Sequence, residues 1–162
     1  MATQRPRFIA DAMLGRLAKW LRILGYDTLY DPSWEDAYLV RLARAQERIL
    51  LTRDLALARR RGVRTLVLQS EKLDEQLGQL RDALGLEASA AFTLCPVCNA
   101  PLEAIPKDRA WGQVPPYIFV KHAEFRVCPS CDRFYWRGTH WERMLARLNN
   151  HEQSERPDFS GH

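Results

Sequence analysis

Apolar residues in the first half of the chain follow two alternating rhythms. Residues 7–12 (RFIADA) form a short β-type run. From Met13 the apolar positions Met13, Leu14, Leu17, Trp20, Leu21 and Leu24 fall at helical spacing, and Gly25 is a natural stop. Residues 26–30 read as a second strand, broken by Asp31-Pro32. Ser33 then stands as an N-cap with Asp36 three residues on, ahead of a helix to about Gln46. Residues 48–52 (RILLT) have the continuous apolar character of a buried strand. A short basic helix from Asp54 ends at Gly62, and residues 63–68 (VRTLVL) follow as another strand. Ser70 caps a last helix running to about Leu84, closed by Gly85. The order βαβαβαβα predicts an α/β fold with a mainly parallel sheet covered by helices.

The character of the chain changes after a plausible linker at residues 86–91. From Phe92 onward cysteines, prolines and aromatics accumulate, and Thr139 with Glu142 forms a capping-box pattern that starts a helix to about Leu148. This divides the chain into an α/β domain over 1–88, a small cysteine-containing domain with a C-terminal helix over 92–148, and a tail over 149–162. That tail (NNHEQSERPDFSGH) has too little apolar content to fold and is expected to be disordered.

Cys95-Pro96-Val97-Cys98 and Cys128-Pro129-Ser130-Cys131 are two identically spaced pairs. A Cys-x-x-Cys turn presents two sulfurs to one ion, and two such turns complete the tetrahedral thiolate shell of Zn²⁺ at about 2.3 Å. A single pair would leave a redox role open, whereas two matched pairs favour a zinc ribbon. Four protein ligands leave no position for water, so the ion is structural. His122 and His140 are then not needed as ligands. Arg137 and His140, in the stretch that follows the second pair, are candidates to face a phosphate. Trp111, Tyr117, Phe119 and Trp136 either stack on bases or form the small domain's core, and the core is the more ordinary role.

Ligands of open parallel sheets bind beyond the carboxyl ends of the strands. Asp11 ends the first strand inside an apolar run, Asp36 lies in the first turn of the helix after the second strand, and Asp54 follows the third. Helix capping by itself accounts for acids at positions 36 and 54, but an acid ending a buried strand needs a partner. Three carboxylates at one edge repel unless a cation compensates them, and oxygen donors suit Mg²⁺ or Mn²⁺. Thr52 is placed to orient a carboxylate. Arg16, Lys19 and Arg22 mark the polar face of the first helix, and Arg53 adjoins Asp54; Arg16, Lys19 and Arg53 are the candidates to meet phosphates.

Charge agrees without deciding. The chain carries 24 Lys and Arg against 20 Asp and Glu, a net +4. Residues 1–92 hold 15 basic and 12 acidic side chains, and residues 93–148 hold 8 and 5. Both parts are mildly basic, which suits a polyanionic partner. No apolar run is long enough to span a bilayer, and the start (MATQRPRFIA) lacks a signal-peptide stretch. A cytoplasmic address, where thiols stay reduced, is the expectation.

Three stretches together resemble a known family. They are 11–27 (DAMLGRLAKWLRILGYD), 49–54 (ILLTRD), and the two cysteine pairs closing with 135–141 (YWRGTHW). In this order, over about residues 7–147, they resemble the PIN-like ribonucleases known as the Mut-seven C-terminal RNase domain. The resemblance implies a PIN-like fold with a fused zinc ribbon and metal-dependent cleavage of RNA. The family's strand-end acids match Asp11, Asp36 and Asp54, and Glu71 is the candidate for a customary fourth. In-line attack by water would leave a 5′-phosphate. The alternative is a non-catalytic RNA-binding or protein-interaction module whose acids are merely structural.

Overall fold

Four short strands organise the first part of the molecule. The protein's structure, a computed structural model, describes residues 5–88, 90–138, 142, 143 and 146. Strands β1 (Phe8–Ala10), β2 (Thr28–Leu29), β3 (Ile49–Thr52) and β4 (Thr65–Val67) form one parallel sheet in the order β2-β1-β3-β4. Helices α1 (Gly15–Ile23), α2 (Asp36–Ala45), α3 (Leu55–Ala58) and α4 (Leu73–Leu84) connect and cover them. The α/β class and parallel sheet expected from the apolar rhythm are thus present.

Chain direction explains the layering. From β1 the chain steps to β2 through α1, then returns past β1 to β3 through α2. Right-handed crossovers in opposite directions put these two helices on opposite faces. On one face Ile9 and Leu50 pack with Leu39, Val40 and Ala43 of α2 and Leu57 of α3. On the other, α1 packs against α4. Both faces of the sheet are therefore dry, which is why β3 reads ILLT with all four residues buried rather than alternating.

Several local expectations need correction. The first helix does not begin at Met13. Asp11 accepts the Ala12 N–H at 2.7 Å and caps a 3-10 turn over Ala12–Leu14, so α1 starts at Gly15. The tighter turn shifts Met13 off the apolar stripe, and its side chain is 63% exposed. Ser33 is not the cap of α2. Its N–H and hydroxyl both donate to Asp31 in the Asp-Pro-Ser turn, and Glu35 occupies the cap position without a side-chain bond. Arg22, read as part of the polar face of the first helix, is buried.

By its internal contacts the chain forms two compact units, Met1–Glu103 with Cys128–Asp132, and Ala104–Val127 with Arg133–His162. Both cysteine loops therefore pack as part of the first unit. In the second, β6 (Phe125–Val127) pairs antiparallel with β7 (Phe134–Tyr135), and β5 (Glu103–Ile105) lies on the other side of β6. With α5 (Pro116–Lys121) they enclose a small core of Ala110, Val114 and Phe125, against which Phe119 and Trp136 pack. Trp111 and Tyr117 do not share that burial; they are 63% and 70% exposed. His140 and the tail from 149 lie outside the described residues, as does most of the helix expected up to Leu148.

Candidate functional site

The strand order reverses at β1, because β2 lies to one side and β3 to the other. The crevice beyond the carboxyl ends of β1 and β3 is thus the topological switch point where such sheets bind ligands. Asp11 follows β1 directly, and its N–H donates to Leu51 O of β3 at 2.9 Å, which fixes it at that point. Thr52, fully buried at the end of β3, donates its hydroxyl to Asp11 Oδ2 at 2.8 Å. With its single proton used, the same oxygen accepts the Asp54 N–H at 2.9 Å. Asp54 Oδ1 in turn accepts the Ala56 and Leu57 N–H groups at 2.8 and 3.4 Å and caps α3. One threonine hydroxyl therefore joins two carboxylates that are 43 positions apart in the sequence.

Asp11 is only 7% exposed and makes no ion pair among the described residues. A buried carboxylate held by neutral donors alone is costly, and a cation at this edge would offset that cost. Asp36 is the first residue of α2 and exposed. It follows β2 at the same edge of the sheet, but no hydrogen bond links it to the other two. Arg16, Lys19 and Arg53 are all exposed, the first two on α1 and the third between β3 and α3. Arg137 is exposed in the second unit.

Hydrophobic patterning missed a further feature of this edge. Met13, Tyr38 and Leu55 are 63%, 39% and 64% exposed, and each lies within two residues of one of the three aspartates. Trp34 meets Tyr38 edge-on, with centroids 5.3 Å apart. The available signal was positional: an apolar residue just beyond each strand-end acid.

The cysteines form a second, tighter constellation. Cys95 Sγ and Cys131 Sγ are 3.7 Å apart, Cys98 Sγ and Cys128 Sγ 3.3 Å, and all four sulfurs lie within 4.8 Å of one another. Sulfurs at 2.3 Å from a tetrahedral ion sit about 3.8 Å apart, so the set has the size of a zinc shell. Among the described residues it is also the one such gathering of three or more metal-ligating side chains. The two loops are built alike. Asn99 N–H bonds back to Cys95 O and Asp132 N–H to Cys128 O, each at 2.8 Å. Asn99 and Asp132, each just after the second cysteine, have φ of 65° and 58°, a region Asn and Asp tolerate better than most residues. A hydrogen bond with Ala100 pulls the Cys98 thiol down, but desolvation and the Cys128 and Cys95 sulfurs push it up to about 12. Crowded thiols of this kind release protons on binding a divalent ion.

A buried polar network seats the first cysteine loop. Arg22 donates to Thr28 O at 2.8 Å and to Pro96 O and Val97 O at 3.0 and 3.1 Å. Its burial lowers its pKa, against the opposing pull of Cys95, Cys98 and Asp27. Asn99 donates to Asp27 at 2.7 Å and accepts the Thr28 N–H at 3.1 Å, while Asp27 pairs with Arg48 at 2.9 Å. Burial would raise the Asp27 carboxyl, but hydrogen bonds from Arg48 and Asn99, with the charges of Arg48 and Arg7, hold it below its ordinary value. At Gly25, with φ of +90°, a Cβ would lie 2.0 Å from Ala90 O, so only glycine lets the chain leading to the cysteines pass this close.

Fold and sites together define a parallel α/β protein with an acidic switch-point edge and a four-cysteine cluster compatible with structural zinc. The chain belongs to the Mut7-C RNAse domain family, whose model matches residues 6–148. No curated protein and no solved structure matches it. The expected family is thereby shown, and with it a ribonuclease-like class of function. Among the described residues no helix is long and apolar enough to cross a membrane.

Proposed function

We propose that the protein is a PIN-like ribonuclease that hydrolyses RNA phosphodiester bonds with Mg²⁺ or Mn²⁺ held by Asp11, Asp36 and Asp54. The observation that carries this reading is Asp11: nearly buried, in no ion pair among the described residues, and tied through Thr52 to Asp54 at the switch point. The donor set fits a hard divalent cation, since it consists of oxygens only. When bound, such an ion supplies positive charge at the scissile phosphate and an acidified water.

The chain's own residues supply the rest. Thr52 keeps Asp11 aimed into the crevice, and the α3 cap orients Asp54. Arg16, Lys19 and Arg53 take non-bridging phosphate oxygens of the strand. Met13, Tyr38 and Leu55 offer apolar surface to unstacked bases. Water adds to phosphorus, the 3′-oxygen leaves with a proton, and the products are a 5′-phosphate and a 3′-hydroxyl. Residues 1–88 act as the catalytic module in the cytoplasm. Residues 92–148 form the zinc ribbon, whose Arg137 and His140 add phosphate contacts.

The test uses purified protein with single-stranded and hairpin RNAs in Mn²⁺. Cleavage is expected, abolished by a chelator and reduced at least about 100-fold in the Asp11→Asn, Asp54→Asn variant, since metal stabilisation of several kcal/mol is lost. Equal cleavage by both proteins would overturn the site.

A further inference from the structure

The edge of the sheet opposite the aspartates carries the reverse charge. There the amino-terminal ends of β1, β3 and β4 meet the last turn of α2 around a cleft of about 760 Å³. Five arginines line it, Arg5, Arg7, Arg44, Arg48 and Arg64, against the single acid Glu47. Arg48 is neutralised by Asp27. Arg64 is exposed, and its side chain makes no hydrogen bond or ion pair among the described residues.

A second cleft, about 530 Å³, runs along one flank of α2 between Ala37 and Ala45, and it shares Arg44 with the first. Arg41 and Arg60 stand in it, both exposed and likewise without side-chain partners among the described residues. Arg44, the common wall, donates to the Arg61 carbonyl. It lies across Gly62, where a Cβ would sit 3.1 Å from its Nε. The guanidinium is thus placed by backbone on one side while the two clefts open beside it. Helix α2 spans 10 residues, about 15 Å, and its first residue is Asp36.

We propose that these joined clefts form a track for the phosphate backbone of single-stranded RNA, leading from a remote arginine anchor along α2 to the aspartate edge. The proposal rests on the ribonuclease reading for the identity of the strand, but the charge argument stands on its own residues. Arg41, Arg44, Arg60 and Arg64 line the two clefts with no ion pair among the described residues, and the second cleft reaches Ala37, the neighbour of Asp36 in the chain. A compact anion would need only one of the two clefts. A polyanionic chain fits both and would arrive at the carboxylates already oriented. Contacts of this kind act on backbone rather than bases, so they confer affinity, salt dependence and preference for length, not sequence.

The experiment compares a triple variant, Arg41→Ala, Arg60→Ala, Arg64→Ala, with a control, Arg59→Ala, Arg61→Ala, Lys72→Ala. The control removes the same charge from exposed positions that line neither cleft. Binding of fluorescent single-stranded RNAs of increasing length is measured in the Asp11→Asn, Asp54→Asn background, so affinity is read without cleavage. The track variant is expected to lose at least about tenfold in affinity for long strands. Its slope of log affinity against log salt should fall by about 2, from about 0.7 per lost phosphate contact. The control should stay near the parent, and inorganic phosphate should compete only weakly. In the otherwise unmutated enzyme, the track variant should hydrolyse a dinucleotide substrate at the parental rate. Equal losses in both triples, or none in either, would overturn the track. If no protein cleaves any RNA, the ribonuclease reading fails while the binding arm still decides the track. Strong competition by inorganic phosphate would overturn the extended strand in favour of a compact anion pocket.

Discussion

The cysteine cluster brings four ligand-type side chains together, whereas the aspartate edge links only two of its three acids, and the two are built in opposite ways. The four sulfurs sit at zinc-shell distances, two of them on fully buried residues, and the buried Arg22 seats the first of the two loops. The aspartates are joined only through Thr52, and Asp36 stands in solvent. A closed, soft-donor shell suits an ion that stays; an open, hard-donor edge leaves room for substrate and water. The contrast teaches that the two metals, as proposed, answer to different physical demands: one holds a loop in place, the other has coordination positions to exchange.

Stripping the first site should have the largest effect. Zinc bound to small cysteine sites contributes about 10 kcal/mol or more, comparable to the whole stability of an ordinary domain. One zinc per chain is expected by elemental analysis, and Cys128→Ser or chelation should lower the melting temperature steeply. A folded, metal-free protein with unchanged melting would break the comparison. Chelation should also abolish any divalent-dependent cleavage, but re-adding Mn²⁺ alone should restore it only where zinc has stayed bound.

Next in size is Arg22→Leu. It leaves the carbonyls of Thr28, Pro96 and Val97 without their donor, at a cost of about 2–4 kcal/mol. Denaturant melts should show that loss together with weaker zinc retention in a competition assay. Normal zinc retention would mean that the loop is held by the metal alone.

Thr52→Val keeps the shape and removes the hydroxyl shared by Asp11 and Asp54. Stability should fall by about 1–3 kcal/mol, and cleavage by about 10-fold or more at fixed Mn²⁺, with part of the loss recovered at higher Mn²⁺. Unchanged activity would show that the two acids are aimed by backbone alone.

The smallest effect concerns pH. Asp27 is held below its ordinary value, so folding favours its charged form. The stability it contributes is present above the unfolded value of about 3.9 and is lost as pH falls below that toward the lower folded value. The group is 39% exposed on its side chain, so the contribution is under about 1 kcal/mol. Asp27→Asn should flatten this acid limb in melts between pH 5 and 3, and an unaltered limb would remove Asp27 from the network.

Much of this was readable in the chain itself. Short continuous apolar runs and period-3.6 apolar spacing report burial directly, so the strand–helix order and the parallel sheet were legible. Cysteine spacing encodes the bite of one ion, so the thiolate cluster was too. The placement of Asp11 and Asp54 just beyond β1 and β3 was legible because each acid follows an apolar run.

Folding alone decided the remainder, because it depends on which distant backbones meet. No spacing rule brings Arg22 to the carbonyls of residues 96 and 97, or turns a helix-face arginine into a buried clamp. Met13 had a core position by periodicity until the Asp11 cap tightened the first turn and sent it outward. Nor does the sequence bring Arg64, just before β4, to the cleft it shares with Arg44 of α2. Local pattern fixes what each segment prefers; the neighbours it acquires are set by long-range packing, which no local pattern records.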